Sequence, residues 1–425
     1  MKILSDGSDL EGVEKVEDIF YINLARKSMW ILDSWPKAFN ASSKYRYFVL
    51  ALNVATLIGG AIYLRNNTGV LSSFELGHTY ITVFMNCITC SRCLMILSKD
   101  YNHVMSLFVQ KIHLFHHKHK SDYAYLTHIF IHKISHFYTV YLLGLALNGL
   151  FLFNMIPFYN CYSRGMFRDV IPANATYDHA VFYSVPFDYT TKFKGYLAMT
   201  SFNVFISYTC TSYFCVVDLT ISLVIFHLWG HMRLLTYHLA NFKKPASVLE
   251  SNDNNKDEIK DHSYTEEELK EVFSKLREYI QHHNLILEFS SEMSNAFGPA
   301  LLAYMVFHQV SGCILLLECS QLDTKTLVRY GPLTIVIFQQ LIQISVIFEL
   351  LGSSNDKLID GVYLVPWEYM DTKNRKLVFT MLRQSHRSIN LTMMSMVTVG
   401  VQTMTAILKT SFSYFVMLKT VAEEE

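Results

Sequence analysis

Residues Leu197–Leu228 read LAMTSFNVFISYTCTSYFCVVDLTISLVIFHL and decide the fold, because Asp218 is their only formally charged residue at pH 7. The run is continuously apolar rather than alternating, and an open sheet cannot satisfy its edge groups in lipid, so strands are excluded. A helix needs about 20 apolar residues to cross the hydrocarbon core of a bilayer. The stretch therefore predicts a membrane-spanning helix that is long enough to extend beyond the bilayer or to break.

Six further stretches share this length and continuity. Only 17% of all residues are charged, while 51% are hydrophobic. An ordinary soluble chain has about 25% charged residues. We therefore predict an all-α membrane protein with seven transmembrane helices. The other six are Tyr47–Leu64, Leu76–Leu97, Phe137–Phe158, Phe297–Leu317, Leu333–Leu351 and Ile389–Leu418.

Lysine and arginine are distributed unevenly between the loops, and cytoplasmic loops of membrane proteins carry an excess of them. Most lie in four segments, residues 1–46, 99–133, 230–292 and 353–388. These segments are predicted to be cytoplasmic, which places the N-terminus in the cytosol and the C-terminus outside the cell. Glycosylation sequons at Asn66 and Asn174 then fall in outer loops, whereas those at Asn40 and Asn390 fall inside.

Two polar segments are predicted to form helices at the cytoplasmic side. Thr265-Glu-Glu-Glu268 has the form of a capping box, and the apolar residues after it recur at helical spacing, so this helix should run into the fifth span. Thr372–Arg387 carries an apolar stripe among basic residues. Together they predict a cytoplasmic anchor layer, which packs either within one subunit or against copies of itself. Lys244–His262 shows no period and is predicted to be a flexible connector.

Several function classes are disfavoured by the sequence. Lys plus Arg and Asp plus Glu both number 36, so no positive field indicates a nucleic-acid partner. No phosphate loop, Ser/His/Asp order or metalloprotease helix indicates an enzyme or a bound cofactor. Since inverted repeats are not found, a transporter is disfavoured. A metabotropic seven-helix chemoreceptor is an alternative, but its termini would have the opposite orientation.

Five ordered motifs from the second outer loop onward resemble the insect odorant receptor family. They are Val185-Pro-Phe-Asp-Tyr189; Asp218–His227 with Leu234, Leu235 and Leu239; Ile280–Phe289 with Cys313; Phe348–Gly352 with Tyr363 and Trp367; and Ile407–Phe415 with Leu418. Each motif alone is weak evidence, and it is their order and spacing along the chain that indicate the family. The gustatory-type receptor channels, an alternative, favour a different ending, and the shared co-receptor is longer in its second inner segment. The chain therefore resembles an odorant-tuning subunit.

The resemblance implies a ligand-gated, non-selective cation channel in the plasma membrane of a sensory neuron dendrite. It also implies a heterotetramer with the odorant co-receptor, in which a volatile small molecule binds the outer half of the tuning subunit. On this basis the chain divides into a cytoplasmic N-terminal segment (1–46), helices 1–4 with the ligand pocket (47–229), a cytoplasmic loop with helix extensions (230–292), helices 5–6 (293–352), the anchor helix (353–388), the pore-lining helix 7 (389–421) and an extracellular tail (422–425).

The pore face of the seventh helix follows from helical spacing together with this resemblance. Lys409, Ser413, Met417 and Val421 share one face, with Thr420 beside them. By their position in the C-terminal motif, Met417, Thr420 and Val421 resemble the family's gate. A hydrophobic ring closes a pore by dewetting. A charge at mid-membrane is costly unless it is hydrated or paired, so Lys409 is expected to face a wet vestibule below the gate. Alternatively, this stripe packs on the sixth span.

The ligand pocket is predicted from the second, third, fourth and sixth spans, because apolar ligands bind between apolar walls with few polar anchors. The candidates are Tyr80, Phe84, Leu147, Phe151, Met199, Phe202, Phe205, Tyr208 and Phe338, of which Tyr80, Phe151 and Tyr208 are preferred. At helical spacing, any of these residues could instead belong to the plain core.

Other polar residues are predicted to be structural. Asp218 is expected to bond to a neighbouring helix rather than to a ligand, and Arg92 either pairs with it or extends to the membrane surface. The histidines within 113–119 and 128–136 are predicted to form a solvated basic connector and not a zinc site, since no Cys or carboxylate lies at ligand spacing. Cys161 and Cys319 both fall on the outer side, where a disulfide could join them.

Overall fold

The computed structural model describes residues 5, 7–29, 35, 44–71, 73–168, 175–246, 263–319, 324–387, 392–393, 397–398 and 400–424. These residues are almost entirely helical. The α-helices are α1 (Phe20–Ser28), α2 (Lys44–Asn67), α3 (Ser73–Leu97), α4 (Lys99–Leu107), α5 (Asp122–Ser163), α6 (Phe193–Thr211), α7 (Val217–Ala240), α8 (Glu266–Cys319), α9 (Thr324–Tyr363), α10 (Thr372–Ser385) and α11 (Val401–Glu424). Two short strands, β1 (Thr392–Met393) and β2 (Val397–Thr398), pair antiparallel.

The predicted all-α fold is confirmed. Among the described residues, six helical stretches are long and apolar enough to cross a membrane, and they contain the first six predicted spans. The helix α11 occupies the place of the seventh span, and it contains Lys409 and several hydroxyl side chains. Within the stretch 193–240, residues 212–228, which comprise the first half of α7 and the turn before it, are all buried by the other helices.

The seventh helix begins later than the sequence predicts. The predicted start is Ile389, whereas α11 starts at Val401 and the strand pair lies before it. Periodicity does not distinguish a strand from a helix in a short apolar run, and the β-branched Val397 and Thr398 favour a strand. Glu349 of α9 accepts a hydrogen bond from the Val401 backbone N–H at 3.1 Å, which satisfies one of the unpaired donors at the start of α11.

The predicted capping box forms. The Thr265 N–H donates to the Glu268 carboxylate at 2.8 Å, and the Glu268 N–H donates to the Thr265 hydroxyl at 3.3 Å. The helix that starts here continues without interruption to Cys319, as expected for a cap followed by helical periodicity. Most of the predicted connector, residues 247–262, lies outside the described residues.

The predicted layer of amphipathic helices is also present. The helix α10 packs against α8 and α9 of its own chain, with Val378 and Met381 buried. The Asn374 side-chain amide donates to the Leu269 backbone carbonyl at 3.1 Å and ties α10 to α8. We call this end of the bundle, which also carries α1 and the start of α5, the basal end.

A π-helical turn, Ser212–Val216, separates α6 from α7. Such turns leave backbone groups without their usual helical partners. The Arg92 guanidinium of α3 donates to two of these carbonyls, those of Tyr213 at 2.9 Å and Phe214 at 2.8 Å. The turn is therefore stable because a buried cation on the neighbouring helix satisfies it.

The same guanidinium pairs with Asp218, one of the two arrangements that the sequence leaves open for Arg92. The Nη2–Oδ1 distance is 2.7 Å, and the Arg92 side chain is only 1% exposed. The Tyr304 hydroxyl of α8 donates to the other carboxylate oxygen at 2.8 Å, and the guanidinium lies 4.2 Å from the centre of the Tyr304 ring. This network joins α3, α7 and α8 through fully buried groups.

The prediction of a solvated histidine connector is wrong. His113, His128 and His132 are all buried at the basal end. The Tyr21 hydroxyl of α1 lies 2.7 Å from His113 Nε2 and 2.8 Å from His227 Nε2. Burial and the neighbouring imidazoles hold the pKa of His113 well below its ordinary value, so this ring is neutral at pH 7. The segment 99–133 carries many basic residues, but His113, His128 and His132 pack inward around the N-terminal helix, while His116 and His119 are exposed.

The possible disulfide between Cys161 and Cys319 does not form, and both thiols are free. The Cys161 sulfur accepts a hydrogen bond from the Asp178 N–H at 3.1 Å and is buried beside Tyr177 and Tyr196. Cys319 is the last residue of α8, and its sulfur lies 3.4 Å from the hydroxyl of Thr334 in α9. Each cysteine therefore packs locally as a small buried or half-buried residue.

The buried ion pair leads to a stability prediction. Arg92→Met should destabilise the chain by about 3–5 kcal/mol, because it leaves Asp218 and two carbonyls without their donor. Tyr304→Phe removes one hydrogen bond and should cost only about 1–2 kcal/mol. The measurement is thermal unfolding of the purified chain in detergent, with exposed Lys99→Met as the control. Equal effects of Arg92→Met and Lys99→Met would contradict the assignment.

Candidate functional site

A cavity of about 270 Å³ lies between α3, α5, α6 and α9, and residues 179–183 of the segment before α6 cover part of it. Its walls are mainly aliphatic and aromatic. The apolar lining includes Met85 from α3, Ala146, Phe153 and Ile156 from α5, Ile206 from α6, and Val336 and Ile337 from α9. A space of this size and character suits a small apolar molecule.

Three local features of the sequence keep the space open. Gly149 on α5 has no atom of another residue within 4 Å of the position where a Cβ would stand, so this helix leaves a gap there. Pro157, inside the same helix, removes a backbone donor and disturbs the helical ladder. Phe214 and Cys215 line the cavity from the π-helical turn. The Arg92 network therefore also shapes the cavity wall.

The segment before α6 is held by a compact turn at Asp188. Its carboxylate accepts hydrogen bonds from the N–H groups of Thr190 at 3.0 Å and Thr191 at 3.1 Å. The hydrogen bonds from Thr191 and Thr190 lower the pKa of Asp188 to about 2, so it is ionised at neutral pH. This turn lies in the Val185–Tyr189 motif, and the Tyr189 hydroxyl donates to the Tyr183 carbonyl at 2.8 Å. The motif thereby fixes the cover of the cavity.

Two of the residues that line the cavity, His179 and Asn203, each carry a buried acceptor atom that has no hydrogen-bond partner among the described residues. His179 Nε2 lies 3.1 Å from the Tyr189 carbonyl and must carry the proton, which leaves Nδ1 with a lone pair. Burial lowers the pKa of His179, so the ring is neutral at pH 7. The Asn203 amide donates to the Val181 carbonyl at 3.0 Å, which leaves its Oδ1 as an acceptor. Both unpartnered atoms are therefore acceptors on residues of the cavity lining.

None of the nine sequence-predicted ligand contacts lines this cavity, although it lies between the four spans that supplied them. Tyr80, Leu147 and Phe151 are exposed on the outside of the bundle. Met199 is buried and Phe202 half-buried beside Tyr183, and Phe84 packs edge-on against Phe307. The remaining three, Phe205, Tyr208 and Phe338, are half-buried. These helices are apolar on nearly all sides, so the sequence does not distinguish their inner face from their outer one.

The residues that line the cavity are smaller and more polar than the aromatic candidates. Asn203 and Ser207 stand one turn apart on α6, and Ala146 and Gly149 stand almost one turn apart on α5. Polar residues within a span and small residues on a facing helix were the available signals. His179 lies in a loop, where the sequence offers no such signal.

The stripe predicted to line a pore faces away from the bundle. Lys409, Ser413, Met417 and Thr420 are exposed on α11, and nothing is described of the Val421 side chain. The opposite face is the packed one, since buried Ser411 lies 3.3 Å from the Gln309 side-chain amide of α8. The alternative that this stripe packs on the sixth span is therefore wrong within this chain.

The two predicted outer glycosylation sequons have different outcomes. Asn66 and Thr68 are exposed at the end of α2, where a sequon is accessible. Asn174 lies outside the described residues. Modification of either residue stays a prediction.

Comparison with known proteins assigns the family. A family model described as the 7tm odorant receptor matches residues 73–412, which is most of the chain. The chain belongs to the 7tm odorant receptor family. This membership confirms the resemblance carried by the five motifs. As an odorant receptor with several membrane-spanning helices, the chain is a multi-pass membrane receptor and not an enzyme.

Two curated odorant receptors of Drosophila melanogaster match part of this receptor. Odorant receptor 22c is 26% identical over 159 residues, which are 37% of this chain and 39% of that receptor. Odorant receptor 13a is 27% identical over 165 residues, which are 35% of this chain and 38% of that receptor. The matched part of the chain thus spans well under half the length of either relative.

The fold matches solved insect receptors over nearly its whole length. The insect olfactory receptor OR5 from Machilis hrabei aligns with a TM-score of 0.70 over 94% of this chain and 99% of that one, at 12% sequence identity. A second structure, of OR5 in complex with eugenol, aligns equally well. At this identity the likeness shows a shared fold.

Proposed function

We propose that this receptor is an odorant-tuning subunit that binds a volatile small molecule in the cavity between α3, α5, α6 and α9. The observation that carries the proposal is the cavity itself, which joins apolar walls to two unpartnered acceptors. Burial of apolar surface contributes about 25 cal/mol per Å², so about 150 Å² of buried ligand surface would supply roughly 4 kcal/mol. The eugenol complex of OR5, which shares the fold, supports small-molecule binding.

The two acceptors define the ligand class. A buried acceptor without a donor is costly, and a ligand that supplies the donor recovers that cost. His179 Nδ1 and Asn203 Oδ1 both await an N–H or O–H group. We therefore infer that the preferred ligands are volatile alcohols or phenols, in preference to ethers or hydrocarbons of the same shape.

We further propose that ligand binding opens a non-selective cation channel in a heterotetramer with the odorant co-receptor. The polar face of α11 supports this, because Lys409, Ser413 and Thr420 point away from the chain's own bundle. A charged side chain in a spanning helix requires water or a partner. A central water-filled path shared with neighbouring subunits would supply that water and would carry the permeating cations.

A close contact between three helices offers a way for ligand binding in the cavity to affect the polar face of α11. Ile337 of α9 lines the cavity, and its neighbour Phe338 reaches Gly312 of α8. A Cβ at Gly312 would lie 3.3 Å from the Phe338 ring and 3.2 Å from the Ser411 hydroxyl of α11. The three helices therefore pack closely at Gly312, so a displacement of α9 by ligand would act directly on α11.

The proposed orientation places the N-terminus and α10 in the cytosol and the C-terminus outside the cell. It rests on the excess of Lys and Arg in the segments that join the helices at the basal end. The proposed location is the plasma membrane, with the dendrite of a sensory neuron implied by the family.

The first functional prediction tests the cavity. Ala146→Phe inserts a ring into the cavity and should raise the half-maximal concentration of an activating alcohol at least about tenfold, because overpacking leaves less room. Leu147→Phe adds the same ring one residue away, where the side chain is 64% exposed, and should change it by less than about twofold. The readout is odorant-evoked current after co-expression with the co-receptor, without added G protein.

A larger change in the half-maximal concentration for Leu147→Phe than for Ala146→Phe would place the ligand at the sequence-predicted residues on the outside of the bundle. Currents that disappear when guanine-nucleotide signalling is silenced would instead support a metabotropic receptor. Fluorescence of tagged receptors at the cell surface controls for expression.

The second functional prediction tests the ligand class. For an activating alcohol and its methyl ether, the wild-type receptor should prefer the alcohol about three- to tenfold, as expected for one or two net hydrogen bonds. His179→Phe and Asn203→Val should each reduce this ratio towards one. Because the ratio compares two ligands on one variant, reduced folding cannot produce the change. An unaltered ratio in both variants would contradict the assignment.

The third functional prediction concerns the pore. Lys409→Glu replaces a positive charge by a negative one and should raise the permeability to divalent cations relative to monovalent ones. Lys409→Gln should have a smaller effect in the same direction, and Lys192→Glu, an exposed change before α6, should have none. The measurement is the reversal potential under exchange of Ca²⁺ for Na⁺, and unchanged potentials in Lys409→Glu would rule out a pore position.

A further inference from the structure

We propose that Asp9, His132 and His136 form a binding site for a divalent transition metal, with Zn²⁺ the best fit, at the basal end of the receptor. His132 Nε2 lies 2.9 Å from Asp9 Oδ2, and His136 Nδ1 lies 3.7 Å from the same oxygen. One ligand atom from each of the three residues falls within 4.8 Å of the others. Two imidazoles and a carboxylate are a ligand set that zinc uses in proteins.

The geometry suits zinc with small adjustments. Zinc binds nitrogen and carboxylate oxygen at about 2.0–2.2 Å, so the ligand atoms of a tetrahedral site lie about 3.3 Å apart. The observed distances of 2.9 and 3.7 Å lie on either side of that value. His132 and His136 are one turn apart on α5, the i, i+4 spacing at which two histidines on a helix bind one zinc ion. Three protein ligands leave a fourth position for water.

The local chemistry favours a cation. One carboxylate oxygen of Asp9 faces both histidines. The Ser5 hydroxyl donates to the other carboxylate oxygen and orients it. The His132 side chain is fully buried, while that of Asp9 is 30% exposed. The exposed side of Asp9 provides the entry path.

The site would join parts of the chain that are distant in sequence. Asp9 lies in the N-terminal segment ahead of α1, and the two histidines lie near the start of α5. The Phe20 ring of α1 stacks on His136 at 4.9 Å, so the metal would fix both the segment and α1 to the bundle. The site stands roughly 20 Å along α5 from the cavity at Gly149, given a rise of about 1.5 Å per residue. Its test is therefore independent of odorant binding.

The experiment measures Zn²⁺ binding to the full-length receptor, purified in detergent and stripped with a chelator, by competition with a chromophoric zinc indicator. The wild-type chain should bind one Zn²⁺ more tightly than its surface histidines do. Asp9→Asn should weaken this binding at least about tenfold, since loss of even an outer partner costs 10–100-fold. Asp9→His keeps a metal-binding side chain at position 9 and should retain the tight Zn²⁺ binding. Cobalt(II) in the same site should give visible absorption that Asp9→Asn abolishes.

Two matched controls separate this site from surface binding. Glu11→Gln removes an exposed carboxylate of the same segment, and His119→Gln removes an exposed histidine. Both should leave the tight site unchanged. A wild-type chain without saturable tight binding, or Asp9→Asn binding Zn²⁺ as tightly as wild type, would overturn the proposal and leave a hydrogen-bonded Asp–His pair. Size-exclusion profiles confirm that the partly exposed Asp9 variants are folded.

Discussion

The Arg92–Asp218 ion pair is the constraint on which much of this receptor depends. A guanidinium that is 1% exposed needs acceptors within the protein, and Arg92 finds them in Asp218 and two carbonyls of the π-helical turn. The pair therefore holds α3, α7 and, through Tyr304, α8 in one arrangement. It also keeps the α6–α7 stretch irregular at the level of the cavity. The position of the cavity wall follows from an electrostatic requirement rather than from shape alone.

Two other features form the cavity together with the π-helical turn. Gly149 and Ala146 leave space on α5, and the Asp188 turn holds His179 and Tyr183 as a cover. His179 of the cover and Asn203 of α6 are each anchored by a hydrogen bond from one polar atom, and the other polar atom of each is an acceptor without a partner among the described residues. Specificity would then depend on a donor in the ligand, and affinity on its apolar surface.

The two ends of α5 have different chemistry. Near its C-terminal half the helix lines an apolar cavity, whereas its N-terminal turns meet a layer of buried histidines around Tyr21. Neutral imidazoles pack like aromatic rings and still offer lone pairs, which is why a carboxylate such as Asp9 can convert a packing layer into a ligand set. The proposed metal site at the basal end and the proposed ligand site between the spans would thus lie on separate parts of one long helix.

Hydropathy determined the order of the spans and the places of the first six, and local rules determined the Thr265 cap and the extent of α8 and α10, because burial in lipid and backbone capping depend on neighbours in sequence. The ordered motifs determined the family. The tertiary structure alone decided which faces turn inward: Ala146 rather than Leu147, and Asn203 rather than Phe202. A helix that is apolar on every side has no amphipathic contrast to reveal its buried face. Contacts such as Asp9 with His132, or Arg92 with the π-helical turn, join distant residues, and only packing in three dimensions brings them together.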